Sequence, residues 1–400
     1  MTDRLYYDDA YNRDFDAAVV RVDDRGNRQA VWLDRSSFYP TSGGQPFDTG
    51  TLGDARVVDV GVEDDDVVHL VEGGAGLAAG QPVHGRLDWA RRFDHMQQHT
   101  GQHALSAAFV RSCNAQTVSF HLGRDVSTID LATEPSPAQV AGAEDEANRV
   151  VWEDRPVTVS YAASDAAATL ELRKPSAREG TLRLVEIEQF DLSACGGSHV
   201  RRTGEIGLIA VTGWERFKGG QRVDFVCGGR ALTRLRLLRD ASLSSTRLLS
   251  VLPEEVPGAI ERLQHDAREH KRAIAGLESS LARIRAEALV AGAERAVSAG
   301  LIIRVIDAPA PMLKTMATTI TERPGLFVAL VSTETPATLV VARSSDLTIT
   351  CDGVVKAVCA RFGARGGGRP DLAQAGGLNG PAEDILAEVR RLAGQGVSGA

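Results

Sequence analysis

The 400-residue sequence contains few cysteines, and they are scattered along the chain. They are Cys113, Cys195, Cys227, Cys351 and Cys359. An odd number of widely spaced cysteines in a large chain excludes the disulfide framework of a small secreted domain. We therefore expect a reducing compartment, in which cysteine chemistry is more often metal chemistry.

Long apolar runs are missing as well. No stretch approaches the roughly 20 apolar residues that cross a bilayer, and the first 20 residues lack a basic start followed by an apolar run. Neither common glycine-rich phosphate motif occurs in its strand–helix context, so nucleotide binding by those routes has no support. We expect a cytoplasmic protein that uses no ATP.

Basic residues are fewer than acidic residues, and the formal net charge is -8. This balance excludes a general nucleic-acid coat, because neutralising phosphates requires clustered Lys and Arg. One stretch, from Arg201 to Arg247, is nevertheless basic, and it includes Arg216, Lys218 and Arg222.

The pattern of apolar residues predicts a multidomain α+β protein with four parts. Residues 1–92 alternate in short runs between Gly- and Asp-rich turns, which indicates a small β domain. Residues 93–228 predict an α+β domain with an antiparallel sheet, and residues 299–400 a small α/β domain. Residues 229–298 predict a helical hairpin or coiled segment.

Within these parts the sequence predicts particular helices. Residues 94–112 form one, with Asp94 as its N-cap, and residues 137–152 form another. Between Ile260 and Ala288 apolar residues step by three and four, which is the seam of a coiled coil or hairpin, and the Leu-rich residues 231–251 would supply its partner.

Two histidine-containing pairs are candidate metal ligands. His99 and His103, four residues apart on a helix, lie on one face, although this spacing also suits a solvated polar face. Cys195 and His199 flank a Gly-Gly-Ser bend, which alone fits a turn with a buried thiol equally well. Together the pairs offer four nitrogen and sulfur ligands, the set that zinc prefers.

Two glycine-containing segments admit two interpretations each. The pattern of residues 36–50, SSFYPTSGGQPFDTG, favours a hairpin tip, and the alternative is a loop that faces the substrate. Residues 363–377 carry Arg365 and Arg369 among glycines, which suits a loop that binds phosphate or an ordinary flexible surface loop.

Four signatures, SSFYPTSGGQPFDTG, HMQQHTGQHALSAAF, CGGSHV and GGGRPDLAQAGG, occur in this order. The ordered set resembles the editing half of alanyl-tRNA synthetase and the freestanding alanyl-tRNA editing (AlaX) proteins in their long form. By this resemblance His99, His103, Cys195 and His199 match the zinc ligands of the family, and His95 falls outside the pattern. The resemblance also implies an N-terminal β-barrel, an editing domain and a C-terminal DHHA1-like tRNA-binding domain.

The implied reaction is hydrolysis of the ester that joins serine or glycine to the alanine tRNA. Thr117, Ser119 and Thr128 are candidate pocket residues, together with Gly43, Gly44 and Gln45 of the glycine loop. The candidate tRNA contacts are Arg216, Lys218, Arg222, Arg365 and Arg369, and the helical or C-terminal region is a candidate dimer interface. The alternatives are a non-catalytic zinc-containing tRNA-binding or dimerising factor and a zinc hydrolase of another aminoacyl substrate.

Overall fold

A computed structural model describes residues 1–74, 76–167, 169–174, 180–294 and 300–397. The chain divides into two compact units, Met1–Ser245 and Thr246–Ala400. Across the described residues the architecture is multidomain α+β, with several antiparallel sheets, as the sequence predicts. The finer division at residues 92, 228 and 298 stays a prediction. None of the helices in the described ranges is long and apolar enough to cross a membrane.

The strands of the first unit are β1 (Asp3–Arg4), β2 (Asp14–Arg25), β3 (Arg28–Leu33), β4 (Arg35–Ser36), β5 (Gly50–Leu52), β6 (Ala55–Glu63), β7 (Asp66–Glu72), β8 (Pro82–Leu87), β9 (Thr117–Leu122), β10 (Ser127–Leu131), β11 (Val157–Ala163), β12 (Thr181–Ile187), β13 (Asp191–Ala194), β14 (Ile209–Phe217) and β15 (Gly220–Cys227). Its helices are α1 (Trp89–Cys113), α2 (Pro137–Trp152), α3 (Ser164–Ala167) and most of α4 (Gly228–Leu249).

Strands β2, β3, β7, β6, β5 and β8 close into a barrel in that order. The predicted alternation is visible in β2, where Phe15, Ala17 and Val19 are buried between exposed neighbours. These side chains fill the barrel interior together with residues such as Val57 and Leu87. The N-terminal β unit expected from the sequence is therefore present.

The second half of this unit holds a four-stranded antiparallel sheet in the order β14-β15-β10-β9 and a three-stranded sheet in the order β11-β12-β13. Helices α1 and α2 pack against the first sheet, and their shared core includes Leu105, Phe109, Ile129 and Phe225. Helix α2 matches its predicted bounds because Pro137 occupies its first turn and Ser136 forms a capping box.

The remaining strands and helices belong to the second unit. They are α5 (Val256–Glu294), β16 (Leu301–Ile306), α6 (Ala310–Thr321), β17 (Phe327–Ser332), β18 (Ala337–Arg343), α7 (Cys351–Phe362), β19 (Arg365–Gly368), β20 (Leu372–Leu378) and α8 (Ala382–Val397). The strands form one sheet in the order β16-β17-β18-β20-β19, with β16 and β17 parallel. Ala282, Ala286 and Val290 of α5 join the core formed with α6.

Two expectations about local structure are wrong. Helix α1 begins five residues before the predicted start, and its N-cap is Asp88, whose side chain accepts a hydrogen bond from the backbone N–H of Arg91. Asp94 instead pairs with Arg230. Residues 363–377 are not a loop, because β19 and β20 form an antiparallel hairpin within them.

Candidate metal centre

Helix α1 carries an unusual number of buried polar side chains. His99, Thr100, Gln102 and His103 lie within little more than one helical turn, and each is at most 3% exposed. Buried polar groups require hydrogen-bond partners or ligands, so this face cannot be the solvated one considered from the sequence. The partners of His99, Thr100 and His103 come from the bend of residues 195–199, from Gln45 in the loop of residues 36–50 and from Asp191 of β13.

The first of these segments is the bend of residues 195–199, which follows β13. A Cβ atom on Gly197 would lie 2.1 Å from Cε1 of His99, so only glycine allows the backbone to approach the ring. Arg183 fixes the bend by donating hydrogen bonds to the carbonyl oxygens of Cys195 and Gly197, at 2.8 and 3.0 Å.

The four predicted ligands meet at this point. One donor atom from each of His99, His103, Cys195 and His199 lies within 4.8 Å of the others. The Sγ atom of Cys195 is 3.4 Å from Nε2 of His99 and 3.3 Å from Nε2 of His199. A tetrahedral zinc ion with its usual bond lengths separates sulfur from nitrogen by roughly 3.5 Å. The four residues therefore form a site that could bind a metal ion.

All three histidine rings are oriented through their Nδ1 atoms. Nδ1 lies 2.9 Å from Oε1 of Gln45 in His99, 2.9 Å from Oδ2 of Asp191 in His103, and 3.1 Å from Oγ1 of Thr100 in His199. Protonation of Nδ1 leaves the Nε2 lone pair available to a metal, which is the usual arrangement of metal-binding histidines.

The pKa shifts of three of the four residues bear on how a metal could bind. Burial lowers the pKa of His199 to about 3, which keeps this ring neutral. Burial opposes ionisation of Cys195, yet His99 and His199 hold the pKa of its thiol well below the ordinary value. Burial likewise lowers the pKa of His103, but the hydrogen bond to Asp191 raises it to about 9. A metal ion that bound Nε2 of His103 would have to displace a proton from this ring.

A loop of the β-barrel completes the centre. Gln45 is fully buried, and its Nε2 donates to Oγ of Ser198 at 2.8 Å while its Oε1 accepts from the backbone N–H of Ser198 at 3.1 Å. Backbone bonds between Ser42 and Gln45 close a tight turn at Gly43 and Gly44. Residues 36–50 thus contain the tight turn that the hairpin interpretation predicts, and their contact with substrate stays a prediction.

A buried ion pair anchors this loop to helix α1. Arg92 and Asp48 are both 0% exposed, and Nη2 of Arg92 lies 2.6 Å from Oδ2 of Asp48. The same Oδ2 accepts from the backbone N–H of Tyr39 at 2.7 Å, and Arg92 also donates to the carbonyl oxygens of Ala10 and Ser37. The pair therefore connects helix α1 to the loop of residues 36–50 and to the segment that precedes β2.

The predicted pocket hydroxyls separate onto two faces of the sheet. A register shift between Asp130 and Leu131 leaves Val118 out of the pairing, so that Thr117 and Ser119 point to opposite sides. Thr117 is buried and donates to Ser106 of α1 at 2.8 Å. Ser119 donates to Asp130 on the outer face at 2.6 Å.

Thr128 pairs in register with Asp224 on this outer face, away from α1. Of the three hydroxyl residues, the structure thus brings only Thr117 to the ligand-bearing helix. Gly43 and Gly44 are exposed at the hairpin tip, and the carbonyl oxygen of Gly44 accepts from the backbone N–H of Leu122 at 3.2 Å.

The predicted tRNA contacts are surface residues. Arg216, Lys218, Arg365 and Arg369 are exposed, whereas Arg222 is partly buried. Arg222 binds both oxygens of Asp130, Arg216 pairs with Glu134, and Arg369 pairs with Asp371. Their charges are thus partly compensated within the chain, and their role in tRNA binding stays a prediction.

Sequence reasoning missed the residues that orient the ligands. The sequence does not distinguish Thr100 or Asp191 from other polar residues. For Gln45 it predicts a contact with substrate, whereas in the structure this side chain contacts His99. Thr100 lies between the two helix histidines, and Asp191 lies four residues before Cys195. Nothing in those spacings distinguishes a supporting residue from an ordinary polar one.

Known families match three regions of the chain. The second additional domain of threonyl and alanyl tRNA synthetases matches residues 182–224, which include Cys195 and His199. The class II (A) tRNA synthetase family matches residues 10–91, and the DHHA1 domain matches residues 298–395. The chain that carries the His/Cys centre is therefore of the class of proteins that contain domains of tRNA synthetases.

Similar proteins narrow this class. The chain is 34% identical over 296 residues to the alanyl-tRNA editing protein AlaX-L of Pyrococcus horikoshii, covering 72% of this chain and 71% of that protein. It is 33% identical over 273 residues to the alanyl-tRNA editing protein Aarsd1 of Danio rerio, covering 64% and 66%. The chain belongs to the alanyl-tRNA editing protein family and resembles its long form.

Alanine–tRNA ligases are also similar. The ligase of Pyrococcus abyssi is 30% identical over 386 residues, which cover 93% of this chain but only 42% of the ligase. The chain thus spans less than half of the ligases that it matches. The solved C-Ala domain of Aquifex aeolicus alanyl-tRNA synthetase is 26% identical over 25% of this chain and 91% of that domain, with a TM-score of 0.23, too low to support an argument about fold.

Proposed function

We propose that this chain is an editing hydrolase that removes serine or glycine from mischarged alanine tRNA with a zinc ion in the His/Cys centre. The observation that carries the proposal is the convergence of His99, His103, Cys195 and His199 in a chain of the alanyl-tRNA editing family. The reaction is that of a carboxylic ester hydrolase, because water cleaves the bond between the aminoacyl carbonyl and the terminal ribose.

The donor set fits zinc better than the common alternatives. Three imidazoles and one thiolate are intermediate in softness and favour zinc over magnesium or calcium, which prefer oxygen ligands. Bound there, zinc would supply a fixed positive charge for the amine and carbonyl of the aminoacyl group or for a water molecule. With four protein ligands we favour orientation of the substrate over activation of water.

The surrounding residues provide candidate substrate contacts. Gly43 and Gly44 form the exposed hairpin tip above Gln45, and Phe120 packs its ring 5.4 Å from that of His99. We propose that these groups form the pocket rim, with the Thr117 hydroxyl on the inner side. Ser119 and Thr128, on the outer face, are weaker candidates.

An editing site explains why such a chain is needed. The pocket in which a synthetase attaches alanine to tRNA rejects larger side chains. Glycine is smaller and serine adds only one hydroxyl, so the binding free energies of these amino acids differ from that of alanine by a few kcal/mol at most. A second site can recognise the hydroxyl or the small size directly. Hydrolysis there removes the wrong amino acid after it has been attached.

For tRNA we propose contacts from both units. Arg216 and Lys218 lie at the turn between β14 and β15, and Arg222 lies near the start of β15. Arg365 and Arg369 flank the glycines of β19 in the region that matches the DHHA1 domain. Since the whole chain is acidic, we expect recognition by shape and a few placed contacts.

We further propose that α5 mediates a homodimer. Its residues follow a heptad that is apolar except at His270, with Ile260, Ala267, Ile274, Leu281 and Ala288 at position a and Leu263, His270, Leu277 and Ile284 at position d. Leu277 is 71% exposed and Ile284 is 64% exposed. The same helix buries Ala282, Ala286 and Val290 against α6, so its heptad face points away from this core.

A second copy of the chain is the occupant that fits this face. In a parallel pair, Asp266 at position g would face Lys271 at position e of the partner on both sides of the seam. In the antiparallel register that pairs Ile274 with Leu277, Asp266 would face Glu287 and repel it, while Lys271 would face Glu278 and attract it, so the two pairs offset each other. Only the attractive pair of Asp266 and Lys271 is formed in the parallel arrangement, and charge complementarity therefore favours the parallel homodimer.

The rival functions share the zinc site but not the reaction. A non-catalytic tRNA-binding factor would hold zinc and tRNA without releasing an amino acid, and a different zinc hydrolase would release another acyl group. The test is deacylation of Ser-tRNA(Ala) and Gly-tRNA(Ala) by the wild-type chain and by Cys195→Ala, with zinc content measured in both. Faster release by the wild type supports editing; zinc binding with no release supports the factor.

A further inference from the structure

The three histidines of the candidate centre differ in the charge of their Nδ1 partners. His99 contacts the neutral amide of Gln45, and His199 contacts the neutral hydroxyl of Thr100. His103 contacts the carboxylate of Asp191, whose side chain is 0% exposed. Among the described residues, His103 is thus the one candidate ligand histidine whose Nδ1 contacts a carboxylate.

The Asp191 carboxylate is itself held on both oxygens. Nε of Arg173 donates to Oδ1 at 2.7 Å, and Oγ of Ser193 donates to Oδ2 at 3.0 Å beside His103. Nη2 of Arg173 also donates to Oγ of Ser193 at 3.1 Å, which closes the network. The Arg173 side chain is 12% exposed, so the network lies almost entirely out of water. A buried charge with this number of partners has a fixed position.

We propose that Asp191 is the charged positioning residue of the metal centre and that Arg173 acts through it. Asp191 would fix the proton of His103 on Nδ1, so that Nε2 is presented to the metal, and its negative charge would partly balance the buried ion. With one thiolate, a divalent ion leaves one positive charge, and the Asp191 carboxylate, which it shares with Arg173, would offset part of that charge at a distance of one imidazole. This inference rests on the proposed zinc site, because it assigns a role only to residues that support that site.

The chain contains a matched control for this network. Asp130 also accepts hydrogen bonds from an arginine and a serine, namely Arg222 at 2.7 Å and Ser119 at 2.6 Å. It lies on the outer face of the four-stranded sheet and contacts none of the four ligands in the described structure. Asp191→Asn and Asp130→Asn therefore each remove one carboxylate charge from a pair with an arginine and a serine, and the two sites differ in the histidine contact and in burial, since the Asp130 side chain is 15% exposed.

The experiment measures zinc affinity by competition with a chromophoric chelator for the wild type and both variants. We expect Asp191→Asn to weaken zinc binding by about 10- to 100-fold, the range typical of lost supporting partners, and Asp130→Asn to change it less than about twofold. The cobalt-substituted proteins provide a second readout, because a reoriented His103 shifts the visible absorption bands in Asp191→Asn alone. Circular dichroism of the metal-free proteins checks that both variants fold.

Unchanged zinc affinity and cobalt spectra in a folded Asp191→Asn protein would overturn the inference while leaving the zinc site intact. Absence of zinc binding by the wild type would overturn the proposed site and the inference together. If Asp191→Asn does not fold, Arg173→Gln carries the test, because it leaves the contact between His103 and Asp191 in place. We expect a loss of several-fold in zinc affinity from that variant, and no loss would contradict the role of Arg173.

Discussion

The Oε1 atom of Gln45 lies 2.9 Å from Nδ1 of His99, so a side chain of the barrel loop orients a candidate ligand of helix α1. The same oxygen accepts from the backbone N–H of Ser198 at 3.1 Å. One amide therefore connects the loop, the helix and the bend that carries Cys195 and His199. The centre depends on the packing of three segments that are far apart in sequence.

Gly197 is the most sensitive position of that packing. In Gly197→Ala the new Cβ would lie 2.1 Å from Cε1 of His99 and 3.0 Å from Oε1 of Gln45, so the ring and the amide must move. We expect loss of bound zinc, measured by metal analysis of the purified protein. Gly196→Ala is the control, because its Cβ would meet only Tyr7 at 3.7 Å. Equal zinc content in the two variants would contradict the geometry described for the bend.

We expect the Arg92–Asp48 ion pair, which holds the loop of residues 36–50 against helix α1, to contribute strongly to the free energy of unfolding. Removal of one partner of a buried ion pair costs about 3–5 kcal/mol, because the other charge stays buried without compensation. We expect Arg92→Met to lower the free energy of unfolding by that amount in urea titrations. Arg25→Met, which removes the exposed pair with Glu63, should cost less than about 1 kcal/mol. Similar losses from the two substitutions would show that Arg92 does not serve as an anchor.

His69 should make the barrel sensitive to acid. The ring is fully buried, with Nδ1 3.0 Å from the carbonyl oxygen of Val31 and Nε2 2.7 Å from Oγ of Ser36, and burial lowers its pKa to about 4. The unfolded chain binds a proton near pH 6.5, so the folded state loses stability as the pH falls from about 6.5 to about 4.

From pH 7.5 to pH 5.0 this linkage amounts to about 2 kcal/mol. His69→Gln has no titrating group at this position, so its free energy of unfolding should fall by about 2 kcal/mol less than that of the wild type over the same interval. Urea titrations of both proteins at the two pH values measure the difference. Parallel losses would show that His69 is not the source.

The α5 heptad predicts the oligomeric state. Leu277→Glu places a charge at an exposed d position and should convert a dimer into a monomer in analytical ultracentrifugation. Ser279→Glu adds the same charge at position f, outside the seam, and should leave the dimer intact. A monomeric wild type, or a dimer that survives Leu277→Glu, would contradict the proposed interface.

The four candidate ligands could be predicted from the sequence because their spacings are local. Four residues separate His99 from His103 on a helix, and four separate Cys195 from His199 across a bend, so each pair converges wherever the rest of the chain lies. The strands of the barrel could be predicted equally well, because one buried face imposes a period of two on segments such as β2.

The missed features depend on contacts between distant segments. Asp88 and Asp94 both suit an N-cap, and only the packed structure, in which Asp94 binds Arg230, shows that the helix begins at the earlier one. Thr117 and Ser119 are two residues apart and would share a face in a regular strand, but the bulge at Val118 separates them.

The glycines of β19 obscured a strand. Glycine disfavours strands, yet a Cβ on Gly366 would lie 2.5 Å from the carbonyl oxygen of Gln374, so the hairpin partner approaches too closely for any other residue. Whether this hairpin contacts tRNA through Arg365 and Arg369 stays a prediction.

The most direct test of the proposed function is the rate of amino acid release from Ser-tRNA(Ala), Gly-tRNA(Ala) and Ala-tRNA(Ala) by the zinc-loaded chain, with Cys195→Ala measured in parallel. Editing predicts that the wild type releases serine or glycine at least tenfold faster than Cys195→Ala, while alanine stays attached. Release no faster than in Cys195→Ala, or equal release of alanine, would contradict the account.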